Sequence, residues 1–175
     1  MDIDYAYVVN PNLTLGGSYT ANDPEYAAGS MGYANDPSYT GMAAAMRDVS
    51  GTPVNDAAES SLSFYLDHVV PAAWGGERYT RYNLSWRDER TSAINPDLKI
   101  KALYLANIIV GWRSSDGVWD TSFFVKNIID DVDLTNIQGY YSDYSILGGD
   151  GLSSKFYAGN ANMGRQIGAQ IVYNF

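Results

Sequence analysis

Polar and apolar residues alternate along most of this chain with a period of two, the spacing of a β-strand with unlike faces. In residues 2–9, Ile3, Tyr5, Tyr7 and Val9 share one face; in residues 13–20, Leu13, Leu15, Gly17 and Tyr19 oppose Thr14, Gly16, Ser18 and Thr20. Residues 60–70 set Leu62, Phe64 and Leu66 against Ser61, Ser63, Tyr65 and Asp67. Residues 77–90 put Thr80, Tyr82, Leu84 and Trp86 on one side and Tyr79, Arg81, Asn83, Ser85, Arg87 and Glu89 on the other. Further strands are predicted over 99–113, 118–128 and 163–175. The 3.6-residue period of an amphipathic helix is scarce. The pattern predicts an all-β chain: a curved antiparallel up-and-down sheet of about seven strands.

The connections alternate in length. Residues 10–12, 71–76 and 114–117 are short and carry turn residues such as Asn10-Pro11-Asn12. Residues 21–59, 91–98 and 129–162 are longer. Short turns at one rim and long loops at the other are the arrangement of a transmembrane β-barrel, in which one row of side chains faces lipid and the other a wet lumen. Long irregular loops are uncommon in a compact soluble domain. Such barrels have even strand counts, and an unpaired backbone edge in lipid costs several kcal/mol per group. An odd count therefore predicts that 1–175 is the C-terminal segment of a larger barrel, with earlier strands upstream and the short turns on the periplasmic side.

Composition narrows this reading. The net charge of −9 and a pI near 4.3 argue against nucleic acid, which demands a basic surface. There is no cysteine and one histidine, His68, which leaves no thiolate or clustered-imidazole metal site; no metal or cofactor is expected. No run of about 20 apolar residues is long enough for a membrane helix. Residues 102–112 are apolar except for Asn107 and suit a membrane strand of roughly 9–11 residues. The chain holds 15 Tyr and 5 Phe, an excess of rings with a polar tip, which membrane interfaces favour. Composition alone leaves a Tyr-rich soluble β-protein that binds carbohydrate equally open.

The chain ends Gln166-Ile-Gly-Ala-Gln-Ile-Val-Tyr-Asn-Phe175. Gln166, Gly168, Ile171, Tyr173 and Phe175 match the terminal signal read by the barrel-assembly machinery. That signal has a polar residue, Gly two later, apolar residues three and five after the Gly, and a final Phe. Upstream, Trp119-Asp-Thr-Ser-Phe-Phe-Val-Lys-Asn127-Ile-Ile-Asp130 resembles the penultimate strand of TonB-dependent outer-membrane receptors, and Gly164-Arg165-Gln166-Ile167-Gly168 resembles the start of their last strand. The hairpins over 62–90 and around Asn12 to Tyr19 fit earlier parts of the same wall. The family's usual Pro before the Arg is replaced by Met163-Gly164.

The resemblance implies a barrel of about 22 strands around an N-terminal plug. It implies a Gram-negative outer-membrane location and a TonB energy-coupling complex that acts on the plug. It also implies high-affinity uptake of a siderophore, cobalamin, nickel or a glycan. Neither plug nor TonB box lies in this sequence, and the expected partners in the wall itself are outer-membrane lipid and a small-molecule or glycan substrate. The alternative is another outer-membrane barrel, a porin or a barrel enzyme, that shares only the assembly signal.

Little here points to catalysis. A Ser-His-Asp arrangement could only use His68, and the neighbouring Asp67 falls on the other strand face. Arg78, Arg81, Arg87 and Arg90 form a mixed-charge cluster with Asp88 and Glu89, read as lumen polarity, with Arg87 a candidate substrate contact. Tyr140, Tyr141 and Tyr144 in the last long loop are candidates to stack on a ligand. Gly148-Gly-Asp-Gly151 lacks the Lys and helix of a phosphate loop. The repeat Ala21-Asn-Asp-Pro-Glu-Tyr26 and Ala34-Asn-Asp-Pro-Ser-Tyr39 offers calcium-binding oxygens, but its chemistry is that of ordinary turns.

Overall fold

A computed structural model describes residues 1–33, 46–54, 56–91, 99–143 and 153–175. Seven strands form one curved antiparallel sheet: β1 (Asp2–Asn10), β2 (Leu13–Ala21), β5 (Ser60–Pro71), β6 (Glu77–Arg87), β9 (Leu103–Arg113), β10 (Trp119–Lys126) and β13 (Gln166–Tyr173). They follow one another as neighbours in that order, and the sheet does not close: the outer edges of β1 and β13 have no partner strand among the described residues.

The period-two runs fix these strands because each buries or exposes a whole side-chain row at once. The short turns have local causes. Asn10 Oδ1 accepts the Asn12 amide at 2.8 Å, which folds the chain back around Pro11. The 72–76 turn needs two left-handed residues in succession, Gly75 and Gly76, with φ of 94° and 74°. In the 114–118 turn, Asp116 Oδ1 accepts from the Ser114 hydroxyl at 2.5 Å and from the Val118 amide at 3.0 Å. These hydrogen bonds hold the Asp116 carboxyl below its usual range, the Ser114 bond contributing most.

The long connections contain three two-stranded ribbons rather than bare loop. They are β3 (Met31–Tyr33) with β4 (Met46–Asp48), β7 (Arg90–Thr91) with β8 (Lys99–Ile100), and β11 (Leu134–Asp143) with β12 (Ser153–Ala161). Two runs expected to be continuous are therefore broken. The 77–90 run leaves the sheet after Arg87, where Asp88 accepts from Ser60 Oγ at 3.2 Å and from the Glu89 amide at 2.8 Å. The 99–113 run is interrupted at Lys101 and Ala102, so Lys99 and Ile100 pair with Thr91 and Arg90 instead. All three ribbons lie in the connections opposite the short turns.

Register aligns each strand's two faces across the whole sheet. One row runs Tyr7, Leu15, Leu66, Tyr82, Ile108, Val125, Ile167. The next row on the same face runs Leu13, His68, Thr80, Val110, Phe123, Ala169. Aromatic rings bound this apolar face. Tyr19, Trp86 and Tyr104 stand toward the ribbons, and Trp112, Trp119 and Tyr173 stand toward the short turns. Trp86 and Tyr104 lie 6.2 Å apart between ring centres, and Trp119 and Tyr173 4.7 Å. From Tyr104 to Trp112 the strand climbs roughly 26 Å, or about 20 Å once the strand tilt of such walls is allowed for.

Among the described residues nothing covers that face. Phe123 is 73% exposed, Ile167 77% and Ile171 71%. The buried apolar residues among those described are Ala72, Tyr79, Ile100, Leu103 and Ala106. Each uncovered large side chain forgoes about 1.5–3 kcal/mol of burial. There is one wall, not two sheets around a dry centre.

Candidate functional site

The opposite face of the sheet is polar. Its charged residues include Asp67, Glu77, Arg81, Arg87, Arg113 and Asp120. Toward the short turns they form a network centred on Tyr79, which is 7% exposed. The Tyr79 hydroxyl donates to Asp120 Oδ1 at 2.6 Å. Arg113 donates to Asp120 Oδ2 at 3.2 Å and to Glu77 Oε1 at 3.1 Å. Arg81 donates to Asp67 Oδ1 at 3.3 Å. The guanidinium carbons of Arg81 and Arg113 stand 5.3 Å and 5.7 Å from the Tyr79 ring centre. These ion pairs are partly solvated, so each contributes about 0.2–1 kcal/mol. Their value is positional, since they hold these polar groups against one another on one face of the sheet.

Three aromatic rings on this face lie over glycines of the neighbouring strand: Tyr65 over Gly16, Tyr79 over Gly111 and Phe124 over Gly168. Each ring and glycine face each other in register, and a Cβ on any of the three glycines would run into the ring. The glycines let the rings lie flat on the polar face.

Toward the ribbons, the face meets the long connections. Arg90, with its side chain only 5% exposed, donates to the Thr135 carbonyl at 2.5 Å and lies 3.5 Å from Asp56. Lys99 is bonded to Glu89 at 2.5 Å, which holds its ammonium above the usual lysine range. In the first long connection Ser50 donates to Asp48 through both hydroxyl and amide, holding that carboxyl below its usual range. A groove of about 470 Å³ runs between these segments, lined by Pro53, Glu59, Asp88, Arg90 and Lys99 among others.

The root of the last long connection is tied by Asn127. This residue is 4% exposed and takes a left-handed conformation, φ 51°. Its amide donates to Asn107 Oδ1 at 3.0 Å. Its Nδ2 donates to the carbonyls of Asp131 and Met163, both at 3.0 Å, and its Oδ1 accepts the Asp131 amide at 3.2 Å. Asp130 accepts the Arg165 amide at 2.7 Å, and Asn162 Nδ2 donates to the Asp131 carbonyl at 2.7 Å. The Lys-Asn-x-x-Asp segment singled out in the sequence is thus the knot from which the β11–β12 ribbon rises.

The residues expected to form a site fall in different places. Arg87 stands on the polar face at the end of β6, half-buried, with Nε buried and unpartnered. The contact with the β11–β12 ribbon is made by Arg90 instead. Tyr140 and Tyr141 lie in β11, their backbones paired with Phe156 and Lys155. Tyr144, the second copy of the Asn-Asp-Pro repeat and the Gly148–Gly151 turn lie outside the described residues. Among the terminal residues, Gln166 and Gly168 are on the polar face, Ile171 and Tyr173 on the apolar face, and Phe175 is fully exposed beyond β13. His68 faces Leu13 and Thr80 on the apolar side, while Asp67 is paired with Arg81 on the polar side, so the two cannot form a catalytic pair. Among the described residues no group of acidic or histidine side chains is placed to hold a metal ion.

Sequence reasoning missed the Tyr79–Asp120–Arg113 network and the Asn127 knot. Tyr79 and Asp120 are 41 residues apart, and only register joins them. For Asn127 the signal was present, a polar residue ending an apolar strand before Asp130, but its role depends on a left-handed backbone.

No family model and no curated protein sequence matches the chain. Among solved structures, the ferric yersiniabactin uptake receptor FyuA from Yersinia pestis shares the fold, with a TM-score of 0.68 at 14% sequence identity. The likeness covers 99% of this chain and 23% of that one, so the chain spans under a quarter of the receptor's length.

Proposed function

We propose that this chain is the C-terminal part of the wall of a Gram-negative outer-membrane receptor of the TonB-dependent type, which takes up a siderophore or similar scarce nutrient. The observation that carries the reading is the pairing of unlike faces on one uncovered sheet. An apolar face bounded by two aromatic rows suits acyl chains between two interfaces. A polar face with internally paired charges suits a wet lumen around a plug. The likeness to an uptake receptor supports the same reading, as do the motifs around Trp119 and Phe175.

In this proposal the short turns face the periplasm and the ribbons face outward. Substrate meets the ribbons and the upper lumen, near Arg87, Tyr140, Tyr141 and Tyr144. The plug and earlier strands belong to the same receptor, and the energy-coupling complex acts on the plug. Residues Gln166, Gly168, Ile171, Tyr173 and Phe175 present the last strand to the assembly machinery.

The test is to delete the complete gene and measure uptake of a panel of ferric siderophores, cobalamin and glycans, with and without a working energy-coupling complex. Loss of one ligand's uptake in both mutants is expected. A chain that stays soluble and monomeric without detergent, or a deletion that leaves every uptake intact, would overturn the proposal.

A further inference from the structure

The apolar face carries one full charge, Arg78, which was expected with Arg81 and Arg87 on the polar face but is one residue out of their period. Along the register rows of that face, from Ile3 to Tyr173, the only Asp, Glu, Lys or Arg is Arg78. The same residue types crowd the polar face, where most are paired. Arg78 is exposed and enters no ion pair among the described residues. An exposed cation on an apolar face with no ion pair among the described residues is open to an external anion.

Its position says which one. Arg78 sits directly across from Trp112 and Val70. Facing side chains at that spacing have Cβ atoms about 4.5–5.5 Å apart. Trp112 donates its indole N–H to the Gly75 carbonyl at 2.8 Å, which fixes the ring at the turn. Trp74, 68% exposed, shares with Trp112 a shallow groove of about 270 Å³. Arg78 therefore stands beside Trp112, in the row where amphipathic rings mark the edge of the apolar face, while the groove shared by Trp74 and Trp112 lies on the turn side and is lined by Asp116. Indoles at this depth pack against glycerol and upper acyl carbons, while a planar guanidinium donates two parallel hydrogen bonds to a phosphate. The aromatic row toward the ribbons has no counterpart: Tyr19, Leu62, Trp86 and Tyr104 are uncharged.

We infer that Arg78, beside Trp112, binds the phosphodiester headgroup of a glycerophospholipid in the leaflet next to the short turns. This rests on the reading of the sheet as membrane wall. The bound lipid holds that rim at a fixed depth and sets the wall's register against the bilayer.

The experiment uses the full-length protein in phosphatidylcholine vesicles with added phosphatidylglycerol. Flotation and a blue shift of tryptophan emission report insertion. After extraction into a sugar detergent, native mass spectrometry counts retained phospholipid for the wild type, R78Q, R78K and R81Q, the last changing a paired arginine on the polar face. Removing one interfacial cation is expected to lower retention about fivefold in R78Q. R78K should fall between R78Q and wild type, and R81Q should match wild type. Equal retention in wild type and R78Q, with normal insertion, overturns the Arg78 site and leaves the wall reading intact. Displacement of the lipid by inorganic phosphate overturns it in favour of a free-anion site. A protein that neither floats nor shifts its emission overturns both readings.

Discussion

Two consecutive residues of β6 give a direct test of the two faces. Leu84 lies on the apolar face between Phe64 and Ala106, two residues from Trp86 of the ribbon-side aromatic row. Asn83 lies on the polar face between Tyr65 and Asn107 and is exposed. Both are replaced by Arg in separate variants. The substituted positions differ in depth by about 3 Å, so their membrane level is nearly the same. An arginine on the lipid side of such a wall costs about 2–4 kcal/mol near the midplane and less toward the interface. Leu84 lies about 7 Å along the strand from the Trp86 level, well inside the apolar band. Leu84→Arg is therefore expected to destabilise by about 2–3 kcal/mol, roughly a 30- to 160-fold shift in the folding equilibrium. Asn83→Arg adds one more charge to a hydrated, already charged face and should stay within about 0.5 kcal/mol. Denaturant titration of the protein in thin-bilayer vesicles, followed by heat-modifiable gel mobility, measures both. If Asn83→Arg proves as damaging as Leu84→Arg, or more so, the assignment of faces is wrong.

Gly111→Val should destabilise by about 1–3 kcal/mol, because the new side chain displaces the Tyr79 ring, while the double change Gly111→Val with Tyr79→Ser should recover part of that loss in the same titration. Asn127→Ala removes hydrogen bonds to both sides of the last loop's root and places Ala at positive φ, so loss of about 2–3 kcal/mol and faster proteolysis within 128–165 are expected, with Asn127→Gly restoring only the backbone part. The depressed Asp116 carboxyl contributes stability that is full above the unfolded carboxylate pKa and is lost as pH falls through the lower folded value. An NMR titration should therefore find its midpoint below the ordinary range, and Ser114→Ala should move it up. Deleting Phe175 from the full-length protein should lower outer-membrane levels while total synthesis is unchanged; unchanged membrane levels would remove the assembly role given to the last strand.

The seven strands of the sheet were legible because a strand that faces two different media must alternate, and alternation is written residue by residue. Residues 60–70 show this: Leu62, Phe64 and Leu66 declare one face and Ser61, Ser63 and Asp67 the other. What alternation cannot show is where a strand stops serving the sheet. Glu89 continues the period of Tyr79 to Arg87, yet the side-chain oxygens of Asp88 turn the chain, and the next residue, Arg90, pairs with Ile100 in a separate ribbon. The ribbons of the long connections escaped for a related reason. Their strands pair only with each other among the described residues and share no row with the large sheet, so nothing imposes its two-residue period on them. The candidate site was legible only as scattered members. Arg87 was found by its place on a polar row, but Arg90, which reaches the β11–β12 ribbon, was seen only as part of a charged cluster. Tyr79, Asp120 and Arg113 were visible as types, and only the register of three strands makes them one network.

The free edge of β13 has a consequence for how copies of this chain meet. Two identical edges can zip together symmetrically only by running in opposite directions. Such a pair would place one copy upside down against the other, with the ribbons of the two pointing away from each other. Two molecules inserted in one bilayer with the same orientation cannot make that contact, whereas two molecules in detergent or free solution can. Self-association through β13 is therefore a hazard of the chain in detergent or free solution, and on the membrane reading proposed above an upstream strand that pairs with β13 removes the edge altogether.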